Sequence, residues 1–361
     1  MKATNFNKCA VICLAAGKSQ VSIILKAKSL GHAVVAIDQN RKAPGFSYAD
    51  FKIYQSTYNS DIIIKELKKL RTKIKFVGIL NRSSGLPVIT AAKICKYFNL
   101  PGVPIKSAKS LVNKDKMRTA CSIHKIPIPK YKIYSVGKYK VNDTLSLPIV
   151  IKPSLSLVGK SGVSVVHSKN KMDMAIKYAE KYTINKKILI EEFVKGPDLS
   201  LISFVNNNKL LPICLLEEIN AENINGAISP KGYRTLKTDY NKWNQKACDI
   251  AKKIISKFKI KRSAFMISLR PDSNNDLKLI EVHLDIGGDL LIEAFFPKAL
   301  PFNFLKLAIE MAIGRAKYAV NFKVKPTAIF YKDGIVSNKG YKILTSTSNK
   351  ILDKKILNFK I

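Results

Sequence analysis

An open parallel α/β domain followed by a larger unit of antiparallel strands is the fold that the sequence predicts. Three observations predict it. Short apolar runs alternate with amphipathic helical stretches over the first hundred residues, and the alternation stops at the turn signal Pro101-Gly102. Beyond it, apolar runs of strand length follow one another with few helices between them.

The elements follow in order. Residues 10–16 (AVICLAA) form an apolar run that ends at Gly17 and reads as a buried strand. Residues 20–30 have helical periodicity and end at Gly31 as a C-cap. Residues 33–37 are a second strand, 61–71 an amphipathic helix, 74–80 a third strand and 87–98 a third helix. After a helix over 111–124, the prolines of IPIPKY (126–131) force an extended exit. Strands are predicted at 148–152, 162–167, 187–193, 199–205 and 210–216, with a polar loop at 222–234. A helix at 242–258, strands at 264–270 and 277–283, and a helix at 302–318 complete this unit. The tail from 326 reads as short and strand-like. The domain boundaries implied are 1–110, 111–320 with a small lobe over 126–195, and a small C-terminal β cap over 321–361.

With 361 residues, 47% of them apolar, the chain has ample material for cores, which excludes a disordered chain and suggests two or three domains. Lys and Arg total 63 against 25 Asp and Glu, giving a formal net charge of +38. Only 8 of the basic residues are Arg, the residue that bidentate phosphate and base recognition favours. The basic residues are spread evenly, 19 in 1–110, 35 in 111–320 and 9 in 321–361. This reads as a Lys-rich solvated surface, and no specific nucleic-acid partner is expected. The six cysteines are scattered with no C-x-x-C pair, and the four histidines lie far apart, so neither disulfides nor a zinc site is expected. The apolar run near the N-terminus is too short to span a membrane, and a cytoplasmic location is expected.

Four segments carry chemistry. AAGKSQ (15–20) lacks the glycines of a P-loop or a dinucleotide fingerprint, and reads as a tight βα turn at Gly17. In PIVIKPSLSLVGKSGVSVV (148–166), a strand bearing Lys152 enters a turn with Gly159, Lys160, Ser161 and Gly162 and returns. Such a hairpin can lay N–H groups and a lysine over phosphates, or be an ordinary hairpin. ILIEEFVKGPDLSL (188–201) ends a buried strand in Glu191 and Glu192, then Phe193-Val194 and Asp198. It suits either an adenine-reading strand end with a ribose carboxylate or a strand with solvated acids. In LKLIEVHLDIGGDLLIEAF (277–295), Glu281, His283 and Asp285 alternate and face one side of a strand. They can hold a divalent cation between phosphates, or form the exposed face of an edge strand.

In this order and spacing, the segments resemble the ATP-grasp superfamily. The likeness is to its carboxylate–amine ligases, relatives of biotin carboxylase and the carboxyaminoimidazole ribonucleotide synthetases, over about residues 8–320. The resemblance implies a two-lobed ATP-grasp domain after the α/β domain. It places Lys114, in NKDKMRTACSIHKIPIP (113–129), and Lys152 on the phosphates of ATP. A flexible loop over 154–162, including Ser154, Gly159, Ser161 and Gly162, closes above them. Glu191, Glu192, Phe193 and Val194 become the adenine hinge, and Asp198 the ribose ligand. Magnesium, with manganese as an alternative, falls to Glu281, His283 and Asp285.

The pattern departs from the family at the metal. Counting back thirteen residues from Glu281 places Ser268 where the family has its first acid; His283 replaces an Asn and Asp285 an Arg. The function implied is ATP-dependent ligation of a small-molecule carboxylate to an amine or thiol through an acyl phosphate. Arg270, Arg234 and Arg82 (the last in the loop NRSSG, 81–85) are candidates for holding the acyl phosphate or the substrate acid. The alternative is a catalytically degenerate protein that binds nucleotide in a regulatory role. A homodimer is left open.

Overall fold

The computed structural model describes residues 9–139, 145–156, 161–222, 228–237, 242–288, 290–316, 322–332 and 340–358. The first unit comprises β1 (Cys9–Leu14), α1 (Lys18–Ser29), β2 (Ala33–Ile37), β3 (Phe51–Ile53), α2 (Ser60–Leu70), β4 (Lys75–Asn81) and α3 (Leu86–Tyr97). Its strands pair in parallel in the order β3-β2-β1-β4. β2 is buried at every position, because side chains on both faces enter apolar clusters. Gly31 adopts φ +83° just beyond α1, as a helix-ending glycine should.

α4 (Ile105–Val112) and α5 (Lys114–Ile123) lead into the second unit. Asn113 breaks what the sequence suggested was one helix: its ψ of 116° is extended, and its amide donates to the Lys109 carbonyl. The small lobe holds β5 (Tyr131–Ser135), β6 (Ile149–Pro153), β7 (Ser164–Val166), α6 (Met172–Tyr182) and β8 (Lys187–Glu192). Its strands form an antiparallel sheet in the order β5-β8-β6-β7, and α6 covers one face with Met172, Ala175, Ile176 and Ala179.

The remaining elements are β9 (Asp198–Asn206), β10 (Lys209–Glu222), β11 (Ile228–Thr235), α7 (Lys242–Lys257), β12 (Arg262–Pro271), β13 (Leu277–His283), α8 (Phe296–Ala299), α9 (Phe304–Ile313), β14 (Thr327–Tyr331), β15 (Tyr341–Thr345) and α10 (Asn349–Leu357). Their strands form one sheet in the order β13-β12-β9-β10-β11-β14-β15, antiparallel throughout. Alternation along β9 sends Leu199 and Leu201 to the core beneath α4, α5 and α7, and Ile202 and Phe204 to the core with α8 and α9. α9 also reaches the first unit: a Cβ on Gly78 of β4 would stand 2.7 Å from the Ala312 carbonyl oxygen, so only glycine admits the helix there.

Most strands and long helices fall where the apolar pattern puts them, but β3, β5 and α8 were not assigned by the reading. Four further elements depart from it. Residues 228–234 of the expected loop over 222–234 belong to β11, paired with β10 on one side and β14 on the other, and 223–227 lie outside the described residues. α4, α6 and α10 are helices that the sequence reading did not assign. The C-terminal strands extend the large sheet edge to edge through the β11–β14 pairing. Among the described residues, no helix is long and apolar enough to cross a membrane.

Candidate active site

Two lysines meet because the start of α5 is pinned to the end of β6. The Lys114 amide donates to the Ser154 carbonyl at 3.0 Å, and the Ser154 hydroxyl donates to Asp115 Oδ1 at 2.6 Å. Asp115 Oδ2 pairs with Lys187 at 3.2 Å, and the Asn185 amide donates to the Ser154 hydroxyl. Lys152, two residues before Ser154, is therefore brought towards the first turn of α5. Its ammonium stands 2.6 Å from Glu191 Oε2 on the neighbouring strand β8. Arg118, one helical turn after Lys114, holds the other Glu191 oxygen at 2.5 Å and donates to the Ile280 carbonyl.

Across the cleft, β13 presents Glu281, 3.0 Å from the Lys114 ammonium and 3.7 Å from His283 Nε2. Ser268 on β12 is the direct antiparallel partner of Glu281.

These charges shape one another. Burial pushes Glu281 up, but Lys114, His283 and Lys152 together outweigh it and hold the carboxyl well below its ordinary range. Burial likewise opposes the charge on Glu191, and Arg118 and Lys152 more than offset it, so this carboxyl also sits low. Burial pulls Lys152 below the ordinary lysine value despite the attraction of Glu191, with Arg118 and Lys114 adding to the depression. Asp285 is raised by burial, its other neighbours compensating only in part.

The hinge end lies where β8 leaves the small lobe. The Glu192 and Phe193 amides donate to the carbonyls of Lys130 and Pro148. Arg270 of β12 grips Asp198 with both arms, at 2.5 and 2.6 Å, donates to the Val194 carbonyl and lies 4.9 Å over the Phe193 ring. Gly196 lets the chain cross there, since a Cβ would stand 2.2 Å from the Pro271 carbonyl oxygen. At the other end, Ile286 N donates to Asn81 O, tying the segment after β13 to the tip of β4. One cleft of about 680 Å³ joins both ends and is lined by Lys114, Lys152, Glu191, Phe193, Ser268 and Glu281, among others.

Comparison with known proteins bears on this geometry. Residues 127–264 match the family described as D-ala D-ala ligase C-terminus. In fold, the chain superposes on an N5-carboxyaminoimidazole synthetase from Staphylococcus aureus complexed with ADP, with a TM-score of 0.75, 14% identity and coverage of 99% of this chain and 98% of the other. The chain has the fold of this synthetase, and residues 127–264 resemble a ligase C-terminal domain. An L-amino acid ligase from Bacillus licheniformis shares the fold at a TM-score of 0.74 and 18% identity, over 91% of this chain and 80% of that one. A formate-dependent phosphoribosylglycinamide formyltransferase from Prochlorococcus marinus is 28% identical over 200 residues, 54% of this chain and 50% of the relative. The chain thus spans about half the length of the curated relatives it matches.

Lys114, Lys152, Glu191, Glu192, Phe193, Val194, Asp198, Glu281, His283 and Asp285 all line the one cleft. Several individual expectations change. Ser154 is fully buried with its hydroxyl spent on Asp115, so it pins the lysines rather than facing phosphates. The Glu191 side chain turns inward to Arg118 and Lys152, so it orients a lysine and leaves any hinge role to the backbone. Gly162 adopts φ +79° in the returning turn, and neither it nor Ser161 is among the residues that line the cleft, whereas Ser156 and Val163 are. Gly159 and Lys160 lie outside the described residues.

The arginines are corrected most. Arg234 does not reach the cleft. As a strand residue it points opposite to Tyr233, and it pairs with Asp353 of α10. Arg82 borders the cleft but is committed, at 2.5 Å, to Glu293 and also to the Ser19 and Gly287 carbonyls. Arg270 stands at the hinge end on Asp198. Nor do Glu281, His283 and Asp285 form one ligand group. Asp285 lies past the end of β13 with Oδ1 turned back to the Gly287 amide at 2.9 Å, and among the described residues no three His, Cys, Asp or Glu could hold a metal together. Arg118 and Asp115 were missed by the sequence reading. The available signal was helical spacing, since Arg118 follows Lys114 by four residues.

Proposed function

We propose that the chain is an ATP-dependent ligase that activates a small-molecule carboxylate as an acyl phosphate and joins it to an amine. The observation that carries this reading is the meeting of Lys114, Lys152 and Glu281 in one cleft between the two lobes. Lys114 and Lys152 fit a triphosphate, and Glu191 with Arg118 fixes where Lys152 points. The backbone of 192–194 offers an edge for adenine. The Asp198 oxygens keep lone pairs for ribose hydroxyls while Arg270 grips them. Magnesium suits the donor set, because it binds through one or two carboxylates with phosphate oxygens and water, and Glu281 with the Ser268 hydroxyl opposite supplies that chemistry. It would neutralise charge developing on the transferred phosphoryl group. A substrate carboxylate oxygen attacks the γ-phosphorus and ADP leaves. The amine then attacks the acyl carbon and phosphate leaves. The protein contributes position and charge rather than covalent bonds.

The names of the relatives supply first acids to try, formate and L-amino acids. Incubation with Mg-ATP, each acid and hydroxylamine should give the hydroxamate and stoichiometric ADP, and both should vanish in Lys152→Met. Tight ATP binding with no hydroxamate from any acid would sink the ligase reading and leave a nucleotide-binding role, which the single carboxylate opposite Ser268 would then explain.

A further inference from the structure

Asp285, at the end of the cleft away from the hinge, is an acid that the proposed chemistry leaves unused. Asp285 is 7% exposed and lies in the wall of the cleft. Its Oδ1 accepts the Gly287 amide, but its Oδ2 is buried and has no hydrogen-bond partner. A buried carboxylate oxygen without a donor is costly. The basic side chains that act on it are engaged elsewhere: His283 faces Glu281 at 3.7 Å, and Arg82 is held by Glu293.

Position along the sheet says what would complete it. β12 and β13 act as a ruler. Arg270, paired with Lys278, marks the hinge end, and Ser268, paired with Glu281, marks the phosphate lysines. Asp285 comes four residues after Glu281, past the end of β13 and on the side away from the hinge end, and therefore beyond the phosphate lysines. Gly287 and Gly288, two and three residues on, also line the cleft, and a Cβ on either would meet nothing within 4 Å. Space is open beside the carboxylate where an acceptor would stand.

We propose that Asp285 is the specificity residue for the amine substrate, and that its free oxygen takes the ammonium of a primary amine carrying no phosphate near the amino group. This rests on the ligase reading for its meaning, since it names the acceptor of that reaction. A phosphate or carboxylate beside the amine would face Asp285 with no uncommitted guanidinium among the described residues that line this end.

Calorimetric titration of the full chain, with and without Mg-ADP, tests it with three probes: L-alaninamide, 1,3-diaminopropane and O-phosphoethanolamine. The first two should bind, and phosphoethanolamine at least tenfold more weakly. Asp285→Asn, or Asp285→Ser should the first not fold, should weaken the first two at least tenfold. No binding of either amine, a preference for phosphoethanolamine, or variants that bind as well as the original would overturn the proposal. Spin-resonance counting of bound Mn²⁺ separates the remaining source of positive charge: loss of one Mn²⁺ in Asp285→Asn with amine binding intact makes Asp285 a metal ligand instead. Amine binding that persists in a chain unable to bind ADP would keep the subsite and reject the ligase.

Discussion

Glu191 is the side chain on which the site turns. It is 2% exposed and carries two cations, one buried completely at Arg118 and one at Lys152. Removing one member of such a group leaves uncompensated charge in a poor solvent, which costs about 3–5 kcal/mol. Glu191→Gln should therefore lower the urea midpoint substantially and, in whatever protein remains folded, depress kcat more than it changes substrate affinity, because Lys152 loses its orientation. The pH dependence has a definite sign. The folded-state value of Glu191 lies below the ordinary one, so its stabilisation is complete above the unfolded carboxyl range and disappears as pH falls through the folded value. Urea midpoints measured from pH 7 downward should fall, and Glu191→Gln should flatten that fall; an unchanged slope would contradict the assignment. Asp285 acts oppositely, its raised value making its contribution greatest in acid and lost on the way up. At the thiols, burial pushes Cys13 and Cys95 up to about 12. Both should resist iodoacetamide at pH 8 in the native state and react once urea unfolds the chain, as mass spectrometry would read.

At the scale of elements, the meeting of Lys114 and Lys152 depends on two ends that lie well apart along the chain. The α5 start and the β6 end are joined by the Ser154–Asp115 pair, reinforced by Lys187 and Asn185. Ser154→Ala removes a buried donor from a carboxylate and should cost about 1–3 kcal/mol in stability, while raising the KM for ATP severalfold because Lys114 and Lys152 no longer share a fixed frame. An unchanged KM would show that the lysines are held by other contacts. What the sequence revealed here follows from what one-dimensional patterns encode. The spacing implied by the resemblance, thirteen residues back from Glu281, pointed to Ser268, and the register pairs the two directly. Strand alternation put Glu281 and His283 on one side. Side-chain partners were not encoded, so Ser154 and Glu191 looked like ligand contacts when they brace the lysines. Arg234 looked like a cleft residue because Asn- and Gly-rich 222–234 reads as a loop. Its pairing with β14, about a hundred residues away, makes it a strand. α6 was legible in principle, since Met172, Ala175, Ile176 and Ala179 follow helical spacing.

The whole molecule resolves the excess of lysine in a similar way. Among the described residues lining the cleft, Lys114, Lys152, Arg82 and Arg270 each face a carboxylate, so the charge of +38 belongs to the outer surface rather than to the site. The same accounting applies to the C-terminal segment. β14 covers the edge of β11, and Asp353 of α10 meets the buried guanidinium of Arg234. Deleting residues 326–361 would strip that edge and leave Arg234 with Glu217 at 3.8 Å as its remaining acid. It would also remove Ile329 and Tyr331 from the core that packs α8 and α9 against the sheet. Each loss is large beside the net stability of a domain, about 5–15 kcal/mol. The truncated chain should therefore show no cooperative urea transition. Asp353→Asn in the full chain removes one partly exposed charge and should cost only about 1–3 kcal/mol, discounted for solvent screening. A truncated chain that melts as sharply as the full one would mean that the large sheet closes at β11 and that the C-terminal strands are an appendage.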